Sequence, residues 1–121
     1  MDDKTAANAL GALGNVTRLR IYRLLVRAGR DGLNVGALKS LTGSAASTLA
    51  HHLKALTDAG LVTQERRGRE VLCFNNYRAM NALQTFLNDD CCAGLRPRLA
   101  RSDTETPATD PGPLFTLSDR T

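Results

Sequence analysis

Two groups of side chains in this sequence have types and spacings that could do chemistry. The first is a set of thiols. Cys91 and Cys92 are adjacent in the polar context NDDCCAG, and Cys73 lies upstream between Leu72 and Phe74. An all-sulfur set favours soft, thiophilic species. Consecutive Cα atoms lie about 3.8 Å apart, closer than the roughly 4.4–6.8 Å of a relaxed disulfide. The vicinal pair is therefore better suited to chelating one atom than to forming a structural cross-link. Asp89, Asp90 and the negative end of a preceding helix disfavour thiolates, which argues against a nucleophilic enzyme cysteine. They matter less to a ligand that displaces the thiol protons as it binds. Cys73 is either a third ligand or a small buried hydrophobe.

The second group is polar and basic. At about 100° per residue, Ser47, Thr48, His51 and Lys54 share a helix side opposite Leu49, Leu53 and Leu56. Short polar and basic side chains on an outer face can enter a DNA groove and remain soluble without it; the bland alternative is an ordinary solvated face. Arg66, Arg67 and Arg69 cluster around Gly68. Such a tip has no packing purpose, but it can reach phosphates or a minor groove. His52, nearer the apolar stripe, reads as a partly buried, hydrogen-bonded side chain rather than a ligand.

Five helices and two strands must position these residues. A short Ala/Leu helix over Thr5 to Leu13 stops at Gly14. Asn15 caps a second helix, Val16 to Ala28, whose apolar stripe is Leu19, Tyr22 and Val26 with Ile21 and Leu25, Arg18, Arg20, Arg23 and Arg27 facing outward. Asn34 caps a third helix, Val35 to Leu41, with Val35, Leu38 and Leu41 pointing inward. Ser44 is the nearest cap for the fourth helix, Ala46 to Ala59, which Gly60 stops. Leu61 to Arg66 and Arg69 to Asn75 form a hairpin turning at Arg67-Gly68. A fifth helix, Asn76 to Asp90, carries Met80, Leu83, Phe86 and Leu87.

The bulk properties set the frame. At 121 residues there is room for one real core. With no Trp, three Phe and two Tyr, that core must be built from Leu, Val and Ala. Residues 1–94 hold 12 basic and 8 acidic residues against 4 and 4 in 95–121, so the net charge of +4 belongs to the folded part. The expected organisation is a domain over 1–94 followed by a disordered tail over 95–121, which holds all four prolines. No apolar run approaches the roughly 18 residues of a membrane span. MDDKTAANAL opens with acids rather than a signal-peptide pattern. Unpaired thiols and this N-terminus make the cytoplasm the expected compartment. A Gly-rich phosphate loop, metal-hydrolase spacing and a supported Ser/His/acid set are all missing, so an enzyme is not expected.

Residues 10 to 94 resemble the ArsR/SmtB family of bacterial metal- and metalloid-responsive repressors. The resemblance rests on LGNVTRLRIYRLL, on STLAHHLKALTDAGLV through the fourth helix, and on RRGRE at the hairpin tip. It implies a mainly α fold with a small β-hairpin, a winged helix-turn-helix of about five helices plus a two-stranded wing, working as a homodimer on double-stranded operator DNA. It further implies a dimer interface from helices one and five, which would use Leu10, Leu13, Met80, Leu83 and Leu87. Ala45-Ala46 departs from relatives that carry a capping Ser or a Gln there.

The sensing site varies within the family. The arsenic site of well-known members uses cysteines at the start of the third helix, where this chain has NVGALKS; YRAMNALQTFLN offers none of the Asp, His and Glu of zinc-type sites. The remaining set, Cys73, Cys91 and Cys92, resembles an arsenic-responsive subgroup with a Cys in the second wing strand and a Cys-Cys pair after the last helix. The expected inducer is trivalent arsenic, as arsenite or methylarsenite, with no required cofactor. The fifth helix spans roughly 22 Å, so Cys73 reaches the vicinal pair of its own chain only if the chain doubles back; if the two fifth helices of a dimer pair antiparallel, it approaches the pair of the other subunit. A persulfide, redox or other soft-metal sensor of the same fold remains an alternative, as does a constitutive DNA-binding or dimerisation module with incidental cysteines.

Overall fold

The computed structural model describes residues 1–95. It divides into a unit over Met1–Leu87 and a second beginning at Asn88, each taken by itself below. The expected tail falls outside the described residues except for Leu95. The element order is α1 (Asp3–Leu13), α2 (Val16–Ala28), a single 3-10 turn (Gly29–Asp31), β1 (Leu33–Asn34), α3 (Val35–Thr42), α4 (Ala46–Asp58), β2 (Val62–Arg67), β3 (Glu70–Asn75) and α5 (Tyr77–Asn88).

Local chemistry sets most of the boundaries. Asp2, Asn15 and Asn34 each accept a backbone N–H two to three residues into the helix that follows, from Thr5, Arg18 and Ala37. Asp2 starts α1 earlier than the apolar pattern alone indicates. Gly43 closes α3 in the left-handed conformation at φ 70°. The start of α4 differs from expectation. Its N-cap is Ala45, which offers no side-chain acceptor, while the Ser44 N–H is turned back onto Thr42 Oγ1.

Packing corrects the apolar stripes. Ile21, Tyr22 and Leu25 of α2 are buried, but Leu19 and Val26 are more than two-fifths exposed. In α3 Leu38 is sealed whereas Leu41 is 59% exposed. These side chains do not serve their own chain's core. The core is instead Ala6, Ala9 and Ala12 of α1 against Ile21, Leu25, Leu38, Leu49, Leu53, Leu56, Leu61, Cys73 and Leu83. Alanines on α1 let its backbone approach closely. Truncating one of the sealed leucines to Ala typically costs about 2–5 kcal/mol.

The sheet holds one more strand than the sequence pattern gives. It is antiparallel, in the order β1-β3-β2. Leu33 and Asn34 pair with Cys73 and Leu72, and Val62 to Arg67 pair with Asn75 to Glu70. The hairpin turns at Gly68-Arg69, one residue later than expected, with Gly68 at φ 61°. A positive φ at the first loop position is what a two-residue hairpin with Gly leading requires. Gly32 is fixed differently. Its φ is 65°, and an added Cβ would sit 2.6 Å from the Cys73 carbonyl oxygen and 2.7 Å from the Phe74 ring.

Two asparagine contacts, one buried and one part-buried, join helices to sheet. The Tyr22 hydroxyl donates to Asn75 Oδ1 at the end of β3, and burial pushes that phenol's pKa up. Asn76 donates from Nδ2 to the Gly60 carbonyl and from its backbone N–H to the Leu61 carbonyl, while its Oδ1 accepts the Ala79 N–H at the start of α5.

Candidate nucleic-acid interface and thiol pair

Helix α4 is held by one face and offers the other. Leu49, Leu53 and Leu56 are at most 3% exposed, whereas Ser47, Thr48, His51 and Lys54 are all exposed. The missing side-chain cap at Ala45 leaves the first-turn amides without a side-chain acceptor. Such amides, at the positive end of the helix dipole, suit a phosphate oxygen. Lys54 Nζ lies 2.9 Å from Asp58 Oδ2, with both side chains largely in solvent. An exposed pair of this kind is worth little and opens at little cost.

His52 has the structural role expected of it. Arg18 Nε donates to its Nδ1 at 3.1 Å, tying α4 to α2. Burial, then the charge of Arg18, then His51, lower its imidazole pKa. Arg18 is consequently not a simple outer-face residue of α2. Its bond to His52 was missed because nothing in a 34-residue separation signals it.

The wing carries its arginines unequally. Arg66, Arg67 and Arg69 are all exposed. Arg67 Nε donates to Glu65 Oε1 at 2.5 Å, so one of the three cations is already partnered. That pairing was also missed, although alternate residues of a strand share a face. A second overlooked group is Asn34 with Glu70. The Asn34 Nδ2 donates to Glu70 Oε1 at 2.8 Å while its Oδ1 caps α3.

The thiols fall in different environments. Cys73 sits in β3, between β1 and β2, with no exposed surface. Its sulfur accepts from Gln64 Nε2 at 3.5 Å. Burial raises its pKa, only partly offset by that hydrogen bond. In the unit that begins at Asn88, Cys91 and Cys92 are both exposed, with sulfurs 3.3 Å apart. The chain turns there through bonds from the Cys91 N–H to the Asn88 carbonyl and from the Ala93 N–H to the Asp90 carbonyl. Asp90 and Cys92 take positive φ values of 58° and 62°, which cost non-glycine residues energy. Among the described residues no group of three or more His, Cys, Asp or Glu forms a metal-holding cluster.

Fold and interface together define a DNA-binding regulator of the winged helix-turn-helix class. A helix-turn-helix domain family matches residues 13–65. The chain is 32% identical over 87 residues to the HTH-type transcriptional regulator YgaV of Escherichia coli, covering 72% of this chain and 86% of that protein. It is 42% identical over 60 residues to a Halobacterium salinarum protein provisionally named arsenical resistance operon repressor ArsR, covering 50% of this chain and 46% of that one. Among solved structures it superposes on Mb0332 of Mycobacterium bovis with a TM-score of 0.57 at 28% identity, over 74% of this chain and 89% of that one. That structure is described as a homodimeric winged helix-turn-helix DNA-binding domain, a possible ArsR-family transcriptional regulator. The chain belongs to the ArsR family of winged helix-turn-helix transcriptional regulators. No helix among the described residues is long and apolar enough to cross a membrane.

Proposed function

We propose that this chain is a homodimeric operator-binding repressor that releases DNA when trivalent arsenic binds the Cys91-Cys92 thiols. The observation that carries the reading is the pair itself: two exposed sulfurs 3.3 Å apart on adjacent residues. At thiolate bond lengths near 2.3 Å, that separation subtends about 90° at a shared atom. A pyramidal trivalent centre with near-right angles fits it without rearranging either sulfur. Each thiol proton leaves on a hydroxide of the arsenical as water. The name of the Halobacterium salinarum relative supports the same ligand.

On DNA, Ser47, Thr48, His51 and Lys54 of α4 face the groove, and Arg66, Arg67 and Arg69 of the wing contact the backbone beside it. Dimerisation through α1 and α5 accounts for apolar side chains left outside the subunit's own core, Leu10 at 44%, Tyr77 at 49% and Leu87 at 56% exposed. Release requires the arsenical to favour the dimer geometry that does not fit DNA. A 10²-fold preference is about 2.7 kcal/mol, an ordinary coupling energy.

Inorganic arsenite can take a third thiolate, and the candidate is Cys73 of the partner subunit. Its sulfur would first have to leave the sheet interior and lose the Gln64 bond. A monomethylated arsenical needs only the vicinal two. Comparing Cys73→Ser with wild type in a gel shift against arsenite and methylarsenite tests both halves. Methylarsenite should release DNA from both proteins alike, and a weakened arsenite response in the variant marks Cys73 as the third ligand. DNA complexes that survive saturating methylarsenite would overturn the proposal.

A further inference from the structure

Asn34 stands between the two parts of the molecule that would face DNA. It is the last residue of β1 and the N-cap of α3. Its backbone pairs with Leu72 of β3, its Oδ1 accepts the Ala37 N–H at 2.7 Å, and its Nδ2 donates to Glu70 Oε1 at 2.8 Å. Glu70 opens β3, directly opposite Arg67 across the hairpin turn. The Asn34 side chain thus reaches two residues further along β3 than the β1 pairing does. One amide group grips both the start of the helix-turn-helix and the outer part of the wing.

The neighbouring residues stiffen this joint. Gly32 lies so close to Cys73 and Phe74 that no side chain fits, and Leu33 pairs with Cys73. Beyond Asn34 the hairpin has only its own two strands. A two-stranded ribbon alone is marginally stable and twists freely. The Asn34–Glu70 bond, which lies at the solvent-exposed surface, is an attachment that continues past the third strand toward the arginine-bearing tip.

We infer that Asn34 is a positioning residue for DNA recognition, setting the angle between wing and recognition helix through its bond to Glu70. The inference rests on the reading of α4 and the wing as the DNA-contacting surface. Phosphate contacts act only when the donor is held where the backbone passes. A wing free to swing would lose part of the contribution of Arg66 and Arg69 while α4 still reads the groove.

Two variants of unchanged net charge separate this role from folding. Asn34→Ser keeps a good N-cap but has no amide to donate to Glu70. The double variant Asn34→Asp with Glu70→Gln also keeps the cap and restores the bond with donor and acceptor exchanged. The probe is a duplex enriched from a random-sequence library by the wild-type protein, with affinity measured by anisotropy over a range of salt. N34S should bind about fivefold more weakly, with a salt slope lower by up to about 1, while the double variant returns to within about twofold of wild type. Amide exchange across the wing, measured without DNA, should quicken in N34S and recover in the double variant. Thermal midpoints of the two variants should agree.

Wild-type affinity and wing exchange in N34S would overturn the inference, as would a double variant as weak as N34S. Weakening in N34S that merely tracks a lower thermal midpoint, with wing exchange unchanged, would also overturn it. Failure of the wild-type protein to enrich any duplex would overturn the DNA-binding reading itself. The wing-exchange result would then still report separately on the joint.

Discussion

His52 shows how a single side chain can carry a condition-dependent part of the stability. Its Nδ1 accepts from Arg18, which requires a lone pair and therefore the neutral ring. Burial is the main reason its pKa falls below the ordinary 6.5, with Arg18 and His51 adding to the effect. The sign follows from linkage. The unfolded chain takes up this proton more readily than the folded one, so stability is full at neutral pH. It declines as pH falls below about 6.5 and levels off beneath the folded-state value. His52→Gln, whose carbonyl can still accept from Arg18, should flatten the loss of thermal midpoint between about pH 7 and pH 5. An identical pH slope in the two proteins would deny His52 this role. The cysteines also divide at this scale. Cys73 has the burial and raised pKa of a core residue, whereas Cys91 and Cys92 are exposed.

At the scale of elements, the recognition helix lacks an ordinary stabilising feature. Ala45 has the extended backbone of an N-cap, φ −67° and ψ 151°, and no acceptor. Ala45→Ser should therefore raise stability by about 0.5–2 kcal/mol, measured by denaturant titration. A neutral or destabilising result would mean that Ser44 or solvent already satisfies those amides. Much of this level was legible in the sequence. Asn15 and Asn34 sit one residue before apolar periodicity begins, so the caps of α2 and α3 could be read directly. The leucine repeat at 49, 53 and 56 gave the buried face of α4. What escaped has a physical reason in each case. A two-residue strand such as Leu33-Asn34 is too short to show alternation. Periodicity gives the width of an apolar stripe but not what covers it, so Leu19, Val26 and Leu41 looked like core. The Arg67–Glu65 pair went unread because Glu65 contributes to no helical or turn motif. The second function of Asn34 was hidden behind its first.

The whole molecule combines an ArsR-family winged helix-turn-helix fold with a pair of exposed thiols, the proposed trigger. The ArsR-family winged helix-turn-helix accounts for α4 and the wing lying beside one another, and the proposed pairing of α1 and α5 would cover the apolar residues those helices leave exposed. Membership of the family does not by itself select an inducer. In this chain the choice falls to chemistry: two neighbouring exposed sulfurs, with the third thiol enclosed in the sheet. Duplex affinity and the response to a thiophilic ligand should accordingly be separable properties. The direct measurement is fluorescence anisotropy of an enriched duplex titrated with methylarsenite, using wild type and the Cys91→Ser/Cys92→Ser variant. The variant should hold DNA as tightly as wild type before titration, and only wild type should release it, with affinity falling about 10²-fold. Equal release from both proteins, or none from wild type, would contradict the assignment of the trigger to these two sulfurs.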